Sequence, residues 1–151
     1  MNPDELFMRE AIRVARSNPT APFGAVTLDT RRDTIVSTGC NRTVDGPIWH
    51  GEIDAIWKAS ELIGRDDWAS MRLYTTAEPC CMCQGAILWA GIGSVVYGTS
   101  IQTLLQLGWP QIDLPSIEIA AKSTWSSCQI TGGVLGGDCD RLFSDARTIN
   151  S

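Results

Sequence analysis

Three cysteines crowd into four positions, Cys80-Cys81-Met82-Cys83, directly behind Pro79. That crowding suits a metal site far better than a disulfide framework. Pro79 fits the first turn of a helix, where no N–H is needed. Cys80 and Cys83 then share one face of its opening turn, where free N–H groups and the positive end of the helix dipole stabilise thiolates. The chain holds a single histidine, His50. Placed at the start of another helix, it supplies a third ligand. Three protein ligands leave zinc a fourth position for water, as a catalytic site requires.

Two residues beyond His50 stands Glu52. Bound zinc lowers the pKa of its water to about 7. Hydrolysis by that water also needs a group to take up its proton and deliver it to the leaving group. Glu52 is placed for that transfer, and is expected to hydrogen-bond the water and not to bind the metal. Each element alone has a plainer reading. An isolated histidine is more often a satisfied polar residue. A lone Cys-x-x-Cys also fits a redox pair, although nothing upstream of Cys80 has the βαβ context that pair favours. Structural zinc would need a fourth ligand, and Cys81 points off the Cys80/Cys83 face. Cys40, Cys128 and Cys139 read as small buried hydrophobes.

Hydrophobic periodicity places these residues. Asn2 caps a first helix through Ala15, with an apolar stripe over Phe7, Met8, Ala11, Ile12, Val14 and Ala15. Strands are expected over 23–28 and 34–38, joined by a turn at Arg31-Arg32-Asp33. A loop follows over 41–49, then a second helix from about Glu52 to Ile63, stopped by Gly64. Next come a strand over 72–75, a helix from Cys80 to Ala90 ended by Gly91, and a strand over 94–98. Ile101 to Leu107 reads as helical, whereas 111–127 carries no usable period. Cys128 to Thr131 reads as a strand. Asp138 is the expected N-cap of a last helix, with Cys139, Leu142, Phe143 and Ala146 on its buried side. Helices alternating with short strands give a single α/β domain over 1–151, layered around one central sheet.

The net charge is −5 and the sequence pI about 4.7. An acidic domain gains no general attraction to a phosphate backbone, which disfavours tRNA or long nucleic acid. The Lys and Arg residues number 12, scattered except for Arg31-Arg32. The start, Met1-Asn2-Pro3-Asp4-Glu5, is acidic where a secretory leader is basic. No apolar run nears the roughly 20 residues of a membrane span. The expectation is a soluble cytoplasmic protein.

Most of the chain resembles the cytidine-deaminase-like superfamily, in the branch that holds bacterial guanine deaminases and tRNA adenosine deaminases. The resemblance rests on Pro22-Phe23-Gly24-Ala25-Val26, Asn41, His50-Gly51-Glu52, Glu78-Pro79-Cys80-Cys81-Met82-Cys83 and Gly85-Ala86-Ile87. It implies a three-layer α/β/α fold with a mixed five-stranded sheet, usually dimeric. It also implies one zinc ion per subunit on His50, Cys80 and Cys83, with Glu52 as proton shuttle. By the same resemblance, Asn41 hydrogen-bonds the base, Phe23 walls the pocket, and the Gly51 N–H donates to a substrate carbonyl. Relatives mostly carry Ala at that position, a departure expected to loosen the helix start.

Substrate choice is less constrained. Phe23 and Trp89 resemble guanine deaminases, whose aromatics cover a flat heterocycle, although Trp89 equally suits packing or an interface. The segment 107–113 reads either as a pocket lid, with Trp109 and Asp113 reading a base, or as a surface loop anchored by Trp109. The run 129–135 before a final helix resembles tRNA adenosine deaminases. The end, Arg147-Thr148-Ile149-Asn150-Ser151, lacks the aromatic tail that guanine deaminases exchange between subunits. The favoured expectation is hydrolytic deamination of guanine or a related aminopurine or triazine by a homodimer. A tRNA adenosine deaminase is the alternative, and a zinc-stabilised binding module without turnover is a third reading.

Overall fold

A computed structural model describes residues 2–151. Helix α1 spans Pro3–Ala15, and its cap is the expected one: Asn2 Oδ1 accepts from the Asp4 N–H at 2.8 Å. Strands β1 (Gly24–Asp29) and β2 (Thr34–Cys40) follow, then α2 (Gly51–Ser60), a 3₁₀ turn (Arg65–Ser70) and β3 (Met71–Ala77). The second half is α3 (Cys81–Ala90), β4 (Ser94–Thr99), α4 (Ile101–Gln106), α5 (Ser116–Ala121), β5 (Gln129–Thr131) and α6 (Gly136–Asn150). The sheet order is β2-β1-β3-β4-β5. Strand β1 runs antiparallel to both neighbours, while β3, β4 and β5 are mutually parallel. This is the mixed five-stranded sheet of the expected fold.

Strand alternation sorts the core into two layers. Val26, Leu28, Tyr74 and Val96 face Met8, Ala11 and Ile12 of α1 and Cys139 of α6. Their sequence neighbours Ala25, Leu73 and Val95 face the other way, onto Ala55 of α2 and Ile87 of α3. A period of two separates the faces, and burial on both sides explains why β1 reads as a nearly continuous apolar run. None of the described helices is long and apolar enough to cross a membrane.

Several boundaries differ from the sequence reading. Helix α6 starts at Gly136, ahead of Asp138, because Leu135 adopts a left-handed conformation (φ 49°) and its carbonyl accepts from the Cys139 N–H. Asp138 therefore lies inside the first turn, paired with Arg141. Helix α2 stops at Ser60 and not at Ile63: the chain turns there, leaving Leu62 exposed and Ile63 packed on the second core layer. Helix α5 and the 3₁₀ turn carried no sequence signal, since six residues are too few to display a period. Gly91 ends α3 as expected, at φ 88°.

Candidate metal centre and cavity

His50 is the N-cap residue of α2 and Cys80 the N-cap residue of α3. Both helices lie on one face of the sheet, and their N-termini converge. Cys83, on the first turn of α3, is fully buried. The His50 Nδ1 stands 3.6 Å from Cys80 Sγ and 3.6 Å from Cys83 Sγ. Among the described residues this is the one cluster of His, Cys, Asp and Glu tight enough to share an ion. The spacing fits zinc. Bonds of about 2.3 Å to sulfur and about 2.0–2.1 Å to nitrogen, at tetrahedral angles, put the donor atoms roughly 3.6 Å apart. Cys81 does not join the cluster, and all six cysteines are free thiols. Without metal, hydrogen bonding from the Cys83 thiol, with His50 alongside, pulls the Cys80 thiol down to about 4. The Cys83 thiol is correspondingly pushed up, so metal uptake expels a proton and weakens as pH falls.

Glu52 is 3% exposed, and burial raises its pKa above the usual carboxylate range. Its Oε1 lies 2.6 Å from the Thr75 hydroxyl, which is also 3.0 Å from the Ala77 carbonyl. A hydroxyl owns one proton and two lone pairs. Thr75 can donate to an ionised Glu52, or accept from a protonated one while donating to Ala77. Either charge state thus keeps a partner. Sequence reasoning missed Thr75, although it shares a face of β3 with Leu73, toward α2 and α3.

Beside the cluster opens a cavity of about 230 Å³, lined in part by Phe23, Asn41, His50, Glu52, Cys80 and Trp109. Phe23 and Trp109 meet edge to face at 5.3 Å, and both rest on Phe143 of α6. The Trp109 indole donates to the Phe143 carbonyl, so Trp109 both anchors its loop and walls the cavity. Asn41 Oδ1 accepts from the Thr43 N–H and the Thr43 hydroxyl, each at 2.9 Å. A main-chain N–H only donates, which fixes the oxygen toward Thr43 and leaves the amide NH₂ available to the cavity. Gly51 has a steric reason at the start of α2. A Cβ there would collide with the Phe23 carbonyl oxygen, which already accepts from the Asn41 N–H.

Two expected substrate contacts lie elsewhere. Trp89 is 75% exposed and stacks on Trp125 at 4.3 Å. It sits nine residues beyond Cys80, about 13 Å further along α3 at 1.5 Å per residue. Asp113 lines a neighbouring cavity with Glu78 and Tyr97, because the chain turns away after Gln111. Gln111 takes the place on the first cavity that Asp113 was expected to hold.

Glu78 is the second carboxylate of the cavity wall. Its Oε1 accepts from the Ile101 N–H at 2.9 Å, and its Oε2 from the Ser116 N–H at 2.7 Å and the Ser116 hydroxyl at 2.9 Å. Ile101 opens α4 and Ser116 opens α5, whose first N–H groups lack intrahelical partners. One side chain therefore ties the Pro79-Cys80 turn to both ends of the span 101–116. The Glu-Pro-Cys motif had marked the residue but not this part.

The family model for the cytidine and deoxycytidylate deaminase zinc-binding region matches residues 1–99. A probable cytosine deaminase of Schizosaccharomyces pombe is 36% identical over 123 residues, covering 79% of this chain and 74% of the relative. A tRNA-specific adenosine deaminase of Haemophilus influenzae is 36% identical over 146 residues, 93% of this chain and 81% of that one. Among solved structures, a guanine deaminase from Nitrosomonas europaea superposes with a TM-score of 0.80 at 25% identity, covering 95% of this chain and 84% of the other. The chain belongs to the cytidine and deoxycytidylate deaminase zinc-binding family. It is a zinc-dependent hydrolase of C–N bonds in nucleobase-type rings.

Proposed function

We propose that this enzyme deaminates a free nucleobase or a closely related amino-heterocycle, with guanine or a similar aminopurine or triazine as first choice. The observation that carries the reading is the cavity's lining. Two carboxylates, Glu52 and Glu78, border it, and no Lys or Arg does among the described residues. A phosphate would meet repulsion there, whereas a neutral base would not. Its volume, about 230 Å³, lies below the roughly 300–1,000 Å³ of sites for drug-sized ligands and suits a single ring system. The solved guanine deaminase that aligns over nearly the whole chain supports a purine.

Zinc on His50, Cys80 and Cys83 would supply a water acidified to about pKa 7 as nucleophile. The remaining work falls to the chain. Phe23 and Trp109 hold the flat ring, and the Asn41 amide donates to an acceptor on it. The Gly51 N–H, at the start of α2, donates to a ring carbonyl. Glu52 takes the proton released by the attacking water, passes it to the ring nitrogen, and then serves the leaving amine. The balance is amino-heterocycle plus water giving oxo-heterocycle plus ammonia.

Ammonia release across guanine, 2,6-diaminopurine, cytosine, adenosine and a tRNA anticodon stem tests the reading. Guanine or the diaminopurine is expected to turn over fastest. Activity confined to the RNA would overturn it in favour of the adenosine alternative, which the span of the Haemophilus relative supports. A homodimer accompanies this reading, with exposed Trp57, Trp89 and Trp125 supplying apolar surface for it to cover. Light scattering at micromolar concentration is expected to give twice the chain's 16.4 kDa, and a monomer mass would reject the assembly.

A further inference from the structure

Asp54 lies one turn beyond His50 on α2 and is 1% exposed. Its Oδ1 accepts from the Trp49 indole at 2.9 Å and lies 3.5 Å from an Arg42 nitrogen. Its Oδ2 accepts from the Cys40 N–H at 3.2 Å and from Lys58 at 3.0 Å. Burial opposes its ionisation, but hydrogen bonds from Trp49 and Lys58 outweigh this and hold its pKa below the usual range.

The sequence positions of these partners matter more than their number. Cys40 immediately precedes Asn41, and Trp49 immediately precedes His50. One carboxylate therefore grips both ends of the 41–49 loop, each end a single residue from the cavity. The loop closes on itself as well. The Arg42 N–H donates to the Trp49 carbonyl at 2.9 Å, and the Arg42 guanidinium lies 5.5 Å from the Trp49 ring centroid. Asn41 and His50 sit on different elements, and the Asp54 carboxylate adds a side-chain tie to the Arg42–Trp49 backbone bond and to the bond from the Asn41 N–H to the Phe23 carbonyl.

We infer that Asp54 is a positioning residue that sets the distance between the Asn41 amide and the His50 ligand, and so aligns the base with the metal centre. The inference rests on the deaminase reading of the cavity. A displaced Asn41 amide weakens a contact made alike in the bound base and in the transition state, so the loss falls on KM and not on kcat. Lys58 is half exposed, so its pairing contributes little to that placement.

The diagnostic change is Asp54→Asn. An Asn side chain offers one acceptor and two donors, so its NH₂ must face either the Cys40 N–H or the Trp49 indole N–H, donor against donor. Expected are one zinc per chain, kcat within about threefold of the parent, and KM raised about tenfold. Trp49→Phe removes only the arm toward His50, and its effect combined with Asp54→Asn should fall short of the sum. Lys58→Ala should leave both constants unchanged. In a ¹⁵N spectrum the Asn41 side-chain NH₂ pair, identified by its loss in Asn41→Ser, should shift in Asp54→Asn and stay in Lys58→Ala. Unchanged KM together with an unshifted Asn41 signal, even with a lower Tm, would overturn the inference and leave Asp54 a merely structural residue. If the parent turns over no compound tried, the functional reading falls, and the Asn41 signal still decides for or against Asp54.

Discussion

Glu52→Gln is expected to lower turnover by about 10²–10⁴-fold, the range over which a positioned acid–base group acts, with zinc retained at one per chain. Glutamine keeps the size and one acceptor of glutamate but cannot carry a proton between water, ring nitrogen and leaving amine. Thr75 can still donate to the amide oxygen, so the fold around the site should hold. The loss should fall on kcat, because the wall residues Phe23, Trp109 and Asn41 are untouched. A companion variant, Thr75→Val, removes the hydroxyl that partners Glu52 in either charge state and should lower kcat more modestly, by roughly tenfold. Stopped-time ammonia assays and metal analysis read both. A Glu52→Gln protein as active as its parent would remove Glu52 from the chemistry and leave the proton transfers to another group.

The second large effect concerns the metal. Cys83→Ser is expected to leave the purified protein with little zinc and no measurable turnover. Serine is nearly the same size, but its hydroxyl does not ionise near neutral pH, so two ligands remain. The site is fully buried at Cys83 and cannot recruit Cys81, which lies outside the cluster. Stability follows by mass action. At free zinc a hundredfold above its Kd, bound metal adds about 2.7 kcal/mol, or roughly 5–10 °C in Tm for a domain of this size. Metal-stripped parent protein should regain that increment and its activity on adding zinc, whereas Cys83→Ser should regain neither. A serine variant that binds stoichiometric zinc and works would show that the ligand set is wrong.

The metal cluster was legible because its logic is local. Cys80 and Cys83 share a helix turn, and the single histidine left no competing choice. The layered fold was legible for a similar reason: β1, β3 and β4 carry dense apolar runs, and the long α1 and α6 display their stripes. Contacts between distant segments were harder. Thr75 meets Glu52, and Cys40 meets Asp54, only once β3 and β2 are packed on α2. Trp89 resembles a pocket aromatic and equally suits packing or an interface, and its place near the end of α3 gives it a stacked partner in Trp125. For Asp113 and Gln111 a two-residue difference decided which cavity each lines, beyond the resolution of a pattern without regular structure.

The grip of Glu78 on the starts of α4 and α5 has a practical corollary for anyone redesigning substrate choice. Trp109, Pro110 and Gln111 form the outer wall, and the span that carries them is pinned at Ile101 and Ser116 to the turn bearing Cys80. The position of that wall is thereby set from the turn that bears Cys80. A preference borrowed from a relative should travel as the whole cassette 101–116, with both pins in register, because point changes at the wall leave its position unchanged.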